Sequence, residues 1–386
     1  MQFLIYPIHR SGPSVNRQLI PTIQNENRLN MPTDFNATTP VREGEELPLE
    51  RLEVYLKEHL PDSTGTLSVE QFSHGHSNLT YLVRIGKLEL VLRRPPFGNQ
   101  VKSAHDMGRE YRVLSRLHSV YNPAPRPYLY CDDTRILGDS FYVMERRYGL
   151  IFRKQLPPGI VVDHDTAKGL SEAVVDNLAL LHSLDYQEAG LNDLGKPDGY
   201  AQRQVMGWSK RYEQAMTDPI PGMDRIASWL IENIPQESSA CVIHNDYKYD
   251  NLVLNPGDLT NIVAVLDWEM ATIGDPLMDL GTMLGYWVEA DDPAELQATA
   301  VGPTALPGNL TRRELIERYQ IKSGREVTNG VFYYCFGIFK IAVILQQIYA
   351  RFVRGHTRDA RFANLNKIVA IMCQQADATI QKGELK

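Results

Sequence analysis

The segment "VIHNDYKYDNLVLNP", Val242 to Pro256, sets a His, two Asp and two Asn between two short apolar runs. His244, Asp246 and Asn251 follow the spacing H-x-D-x-x-x-x-N. A carboxylate at Asp246 can take or orient the proton of an attacking hydroxyl. An amide oxygen at Asn251, a few residues on, can bind a cation close by. About one short hairpin later, "VAVLDWEMA" places Asp267 after an apolar run. Asn251 and Asp267 are then two hard oxygen ligands, suited to Mg²⁺. This set describes transfer of a phosphoryl group from ATP to a hydroxyl. Asp246 and Asn251 alone also read as turn residues, and Asp267 alone as a strand-end cap. Order and spacing together carry the chemical reading.

A second set must hold the nucleotide. "FSHGHSNLTYLVRI" puts Gly75, His76, Ser77 and Asn78 in a turn between two strands. Its backbone N–H groups and the Ser77 hydroxyl can contact phosphate oxygens; an ordinary hairpin is the competing reading. His74 and His76 fit a solvent-facing turn better than a metal site. "LELVLRRPP" ends a strand at Arg93, where V-A-I-K kinases carry their phosphate-binding Lys. Glu110, in "GREYRVLSRL", is the natural ion-pair partner; otherwise it shares an exposed helix face with Arg109 and Arg112. Arg94 is the rival cation. In "FYVMERR" the backbone of Met144, Glu145 and Arg146 is placed to bind adenine at a hinge. "IGDPLMDLGTML" opens a helix with Asp275 as N-cap and Pro276 at N1. Asp279, one turn in, is placed to brace the 244–251 loop.

These groups need a frame. Residues 1–45 are rich in Asn, Pro and Thr and read as a poorly ordered extension. "PLERLEVYLKEHLP" has helical spacing at Leu49, Leu52, Leu56 and Leu60. "LSVEQF", "LTYLVRI" and "LELVLRR" read as strands, followed by a helix through "GREYRVLSRL" and by the strands "PYLYCDD" and "SFYVMERR". From about Glu145 the chain turns helical. "DTAKGLSEAVVDNLALLHSLD" is amphipathic and reads as capped by Asp165. Further helices are "YAQRQVMGWSKRYEQAM", "ELIERYQIKSG" and "FANLNKIVAIMCQQADATIQK", with short strands "CVIH", "LVLN" and "IVAVLD" between them. The fold class is α+β: a sheet-rich nucleotide-binding lobe over 46–145, then a helical lobe over 146–386 with the catalytic loop and acceptor site.

Composition excludes other classes. A net charge of -7 over 386 residues argues against a nucleic-acid surface. Cys131, Cys241, Cys335 and Cys373 are scattered, with no CxxC pair, which fits a reducing, cytoplasmic setting. The N-terminus breaks at Pro7 and lacks the apolar stretch of a signal peptide. "VFYYCFGIFKIAVILQQIYARFV" is the one candidate membrane span, but Lys340, Gln346 and Gln347 interrupt it. A buried helix is the better reading.

From about Leu67 to Lys367 the chain resembles the aminoglycoside phosphotransferase-like kinases of small molecules. "HGHSNLTYLV", "LVLRRPP", "REYRVLSRLH", "VIHNDYKYDNLVL", "VLDWEMATIGDPLMDLG" and "QQIYARFVRG" carry that resemblance. It is nearest to the subfamily found alone in bacteria or fused to acyl-CoA dehydrogenases in animals, which shows V-L-R-R-P-P. "GKPDGYAQRQVMGWSKRYEQA" also resembles that branch. The resemblance implies a two-lobed protein-kinase-like fold, with ATP and Mg²⁺ as cofactors. Two departures stand out. The family's H-G-D reads His244-Asn245-Asp246, and D-F-G reads Asp267-Trp268-Glu269. Asn tolerates a left-handed backbone better than most residues.

Asp275-Pro276 opens a helix within a few residues of Asp267, which leaves no room for a protein kinase's activation segment. The acceptor is therefore expected to be a small molecule. Family resemblance implies a hydroxyacyl-CoA, such as a 4-hydroxyacyl-CoA; aminoglycosides, choline or sugars are the alternative. An aminoglycoside needs acidic groups, which Glu289, Asp291, Asp292 and Glu295 offer unless they are a solvated loop. CoA phosphates need cations, which Arg351, Arg354, Arg358 and Arg361 offer unless they are a solvated face. A non-catalytic nucleotide-binding module is a third reading, and a partner protein or a dimer stays open.

Overall fold

The computed structural model describes residues 38–73, 78–97, 106–236 and 239–385. Six antiparallel strands form one sheet, in the order β1-β2-β3-β4-β6-β5. They are β1 (Thr38–Thr39), β2 (Leu67–Phe72), β3 (Leu79–Ile85), β4 (Leu88–Arg94), β5 (Pro127–Cys131) and β6 (Phe141–Glu145). Side chains alternate between the sheet's faces. Leu79, Tyr81, Val83 and Ile85 of β3 share one core with Leu52 and Leu56 of α1 (Leu49–His59). Leu90 and Leu92 of β4 and Phe141 and Val143 of β6 face the same way. The alternate residues Val91, Tyr142 and Met144 face the other core, with α2 (Met107–Leu117). The period of two therefore sends Arg93 toward α2 and Arg94 to the opposite face. There Arg94 donates to the Leu137 carbonyl at 2.9 Å, at the end of α3 (Thr134–Leu137).

Thr38 and Thr39 pair with Phe72 and Gln71. The sheet thus recruits residues that the sequence assigned to the extension; 1–37 lie outside the described residues.

The second lobe is built from α4 (His164–His182), α5 (Tyr200–Ala215), α6 (Met223–Glu232), β7 (Cys241–Ile243), β8 (Leu252–Asn255), β9 (Asp258–Val265), β10 (Thr272–Gly274), α7 (Pro276–Tyr286), α8 (Ala294–Gln297), α9 (Arg312–Ser323), α10 (Gly330–Val353) and α11 (Leu365–Lys382). β8 pairs with β9, and β10 with β7. The N-cap of α4 is Asp163, whose side chain accepts from the Thr166 amide, and not Asp165. Asp163 holds extended backbone angles, as a cap must, while Asp165 already lies in the helix.

α10 is long and apolar enough to cross a membrane, yet 72% of its most apolar window is buried within the protein. It packs on α7, α11 and α5. The approach to α7 depends on missing atoms. A Cβ at Gly337 would lie 1.9 Å from the Gly281 carbonyl oxygen, and one at Gly281 2.2 Å from that of Tyr333. All four cysteines are buried and free.

Candidate active site

The loop after β7 hangs from one carboxylate. Asp279, buried in the first turn of α7, accepts the His244 amide on Oδ2 and the Asn245 amide on Oδ1, each at 2.7 Å. Burial raises a carboxyl's pKa, but His182 at 3.2 Å and the donors from the loop hold Asp279 below the ordinary carboxylate range. His182 Nδ1 is in turn 2.8 Å from the Tyr319 hydroxyl. His244 itself is structural: the Asp246 amide donates to its Nδ1, and its Nε2 donates to the Leu266 carbonyl.

Asn245 adopts φ 69°, the left-handed conformation that glycine usually fills. Its side chain adds contacts that glycine lacks. Oδ1 accepts from the Tyr200 hydroxyl at 3.0 Å, and Nδ2 donates to the Met270 carbonyl at 3.0 Å. Lys340 Nζ, from α10, donates to the Asn245 carbonyl at 2.6 Å. Three distant segments thus lock the residue before Asp246.

The Asp246 carboxylate is partly exposed and well ordered by donors. Tyr286 donates to Oδ1 at 2.8 Å and Lys248 to Oδ2 at 2.8 Å. Asn251 Nδ2 donates to Oδ2 at 3.0 Å and to the Asp246 carbonyl at 2.8 Å. Lys248 and Tyr286 were not foreseen. Lys248 sat in plain view within the motif, but Tyr286 is 40 positions away and gave no local signal. Burial lowers a lysine's pKa, but Tyr286, Asp246 and Asp250 outweigh it and push Lys248 well above its usual value. Lys248 is therefore a fixed cation beside the carboxylate.

Asp267 sits at φ 68°, turning the chain out of β9. Arg93 bridges two carboxylates: its Nη2 is 2.8 Å from Asp267 Oδ1 and its Nε 3.3 Å from Glu110 Oε2. Burial opposes the charge of Arg93, but Glu110 and Asp267 together hold it well above its ordinary value. Glu110 also accepts the Trp268 amide at 3.2 Å. Arg93 is thus the cation that Glu110 holds, and Glu110 is buried on α2 rather than on an exposed face. Arg94 packs 3.6 Å over the Phe97 ring, away from the loop.

The donor set fits a hard cation. Asn251 spends its nitrogen on Asp246, which leaves the amide oxygen for a metal. Asp267 engages Arg93 through Oδ1 and offers its second oxygen. Among the described residues no cluster of three or more His, Cys, Asp or Glu forms a metal cage. Mg²⁺ with nucleotide phosphates needs only one or two protein carboxylates or amides.

Gly75, His76 and Ser77 lie outside the described residues. Asn78 is buried and donates to Glu269 Oε2 at 2.7 Å, tying the start of β3 to the segment after Asp267. Met144 is paired with Val91 in the sheet. The Glu145 and Arg146 side chains are ion-paired to Arg147 and Glu89, so only the backbone here could meet an adenine.

Beside Asn245 opens a cavity of about 410 Å³. Arg109, Lys196, Arg203, Arg211 and Lys340 line it together with Tyr200, Trp208 and Met270. The acidic stretch is elsewhere: Glu289 and Asp292 are buried against Arg312. The arginines after α10 do not line the cavity. Arg361 pairs with Asp359, and Arg354 donates to the carbonyls of Gln214 and Met216.

Residues 68–315 match the phosphotransferase enzyme family, APH. Acyl-CoA dehydrogenase family member 10 of Mus musculus is 34% identical over 342 residues, 88% of this chain and 32% of its own length. Member 11 of Rattus norvegicus is 36% identical over 328 residues, 83% of this chain and 41% of its own length. The chain thus spans about a third to two fifths of these relatives. A solved Ralstonia eutropha protein described as an aminoglycoside phosphotransferase is 32% identical, with a TM-score of 0.74 over 87% of this chain and 99% of its own. An aminoglycoside phosphotransferase solved with AMP-PNP and hygromycin B shares the fold, with a TM-score of 0.54 at 16% identity over 85% of this chain and 98% of its own. With two lobes and a His-x-Asp loop already in place, the chain belongs to the phosphotransferase enzyme family.

Proposed function

We propose that the protein transfers the γ-phosphoryl group of ATP, with Mg²⁺, to the hydroxyl of a hydroxyacyl-CoA such as a 4-hydroxyacyl-CoA. The observation that carries the chemistry is the Asp246 carboxylate, held 2.8 Å from both Tyr286 and Lys248 and 3.0 Å from Asn251. Asp246 orients the acceptor hydroxyl and takes its proton. Lys248 offsets charge that gathers on the transferring phosphoryl group. Arg93, kept in place by Glu110, faces the nucleotide phosphates. Asn251 and Asp267 hold Mg²⁺, which neutralises phosphate oxygens when bound. Such a transition state is loose, so positioning and charge neutralisation supply most of the rate.

For the acceptor, the relatives' acyl-CoA dehydrogenase names support a thioester. An aminoglycoside or another small alcohol is the second reading. Against a polycationic drug stands the burial of Glu289 and Asp292 with Arg312, while the exposed Asp291 and Glu295 lie off the cavity beside Asn245. ADP release with Mg-ATP, measured against 4-hydroxyacyl-CoAs, free hydroxy acids, choline and aminoglycosides, tests the proposal. Turnover with hydroxyacyl-CoA should fall about 10²–10⁴-fold in Asp246→Asn. Turnover with an aminoglycoside alone would reassign the acceptor. An Asp246→Asn variant as active as the parent would sink the mechanism, whereas a parent that binds ATP but turns over none of these acceptors would favour a nucleotide-binding module.

A further inference from the structure

The cavity beside Asn245 brings five cations together and lines them with no carboxylate. Arg109 spends its guanidinium on the backbone carbonyls of Leu194 and Ala271. Arg203 donates to the carbonyls of Asp198 and Lys196. Lys340 is buried and donates to the carbonyl of Asn245. Arg211 lies 4.7 Å over the Trp208 ring. None of the five forms an ion pair among the described residues. By contrast, the buried Arg93, Arg146 and Arg312 are each paired with carboxylates. Burial lowers the pKa of Arg109 and takes Lys340 down to about 8, against the pull of Asp106 on the first and of Asp279 and Asp246 on the second. Asn245, next to Asp246 in the chain, forms part of the cavity wall. A ligand in the cavity therefore meets the residue that precedes Asp246.

We infer that this cavity is the acceptor's anion subsite, in which Lys196, Arg203 and Arg211 at the rim and Lys340 at the floor engage a phosphate or carboxylate group of the acceptor. The inference rests on the small-molecule kinase reading and adds the residues that select its substrate. The shared chemistry is an oxyanion. A thioester brings it as the phosphates of its CoA end, a free hydroxy acid as its carboxylate. Tyr200, Trp208 and Met270 supply flat apolar wall for the uncharged part of the ligand.

The test is equilibrium binding by calorimetry with ADP saturating, so that the nucleotide cleft is filled. The probes are free CoA and 4-hydroxybutyrate. The proteins are the parent, the charge reversal Lys196→Glu with Arg211→Glu, and a control reversal at the exposed Lys168 and Lys382, off the cavity. Among the described residues neither the Lys196 nor the Arg211 side chain donates a hydrogen bond that holds the fold. CoA affinity falling about 10- to 100-fold in the cavity variant, with the control unchanged, establishes a phosphate subsite. The same loss for 4-hydroxybutyrate alone establishes a carboxylate subsite. Equal affinities in parent and cavity variant, or no binding of either probe to the parent, overturns the inference. Binding needs no turnover. A parent that binds CoA through these residues yet releases no ADP with any hydroxyacyl thioester loses the kinase reading and keeps the subsite.

Discussion

At the scale of single residues, Asp279 decides whether Asp246 can work. Both of its oxygens accept backbone amides of the loop, and His182 fixes its orientation from behind. Asp279→Asn keeps the size but turns an NH₂ group toward a backbone donor. One amide is then left unpaired in a buried site, at about 1–3 kcal/mol. We expect kcat to fall about 10- to 100-fold with the KM for ATP little changed, and urea unfolding to shift by that energy. A variant with normal kcat would show that the loop holds its shape without this carboxylate. Asp279 was legible because it follows an N-cap and Pro by a few residues. His182 was not, since a lone His at the end of "LALLH" gives no sign of what it faces.

At the scale of elements, the crossing of α7 and α10 places Lys340 within reach of Asn245. Gly337→Ala sets two effects against each other. Helix propensity favours alanine by about 1 kcal/mol. The clash 1.9 Å from the Gly281 carbonyl oxygen opposes it, and a backbone carbonyl cannot rotate aside. Overpacking typically costs about 1–3 kcal/mol, so the clash wins. Urea titration should show a net loss of stability, and the rate should drop as Lys340 withdraws from the loop. A stabilised variant would mean that the helices slide apart freely. The strands of the first lobe were readable because alternation is a local signal, and the N-cap of α7 because Asp-Pro is a local pair. β10 has three residues and α6 ten, too short to stand out beside longer periodic runs. The cavity's cations come from α2, a loop, α5 and α10. No window of sequence holds them together, which is why the arginines after α10 looked equally suitable.

At the scale of the whole molecule, pH should act through a buried charge. Burial drives the Lys340 pKa down to about 8 from 10.5, while Asp279 and Asp246 pull it up and Lys248 and Arg211 pull it down. Between these two values the unfolded chain binds a proton that the folded chain does not. Stability therefore rises with pH across that window, and the cost of burying the charge is fully present below about pH 8. The size is about 3 kcal/mol at 1.36 kcal/mol per unit. Urea unfolding at several pH values reads this slope, and Lys340→Met should abolish it. A slope unchanged in that variant would assign it to another group.

The rim of the cavity has a consequence for how such a protein diversifies. The Asp246 loop is hydrogen-bonded to α4, α5, α7 and α10 and to the carbonyls of Leu266 and Met270, so change there is costly. Lys196, Arg203 and Arg211 are exposed, and substitutions at exposed positions usually move stability by only about 0.5 kcal/mol. On the anion-subsite proposal, acceptor choice therefore sits on the part of the molecule that mutation can explore most cheaply. One catalytic loop can outlast many changes of substrate.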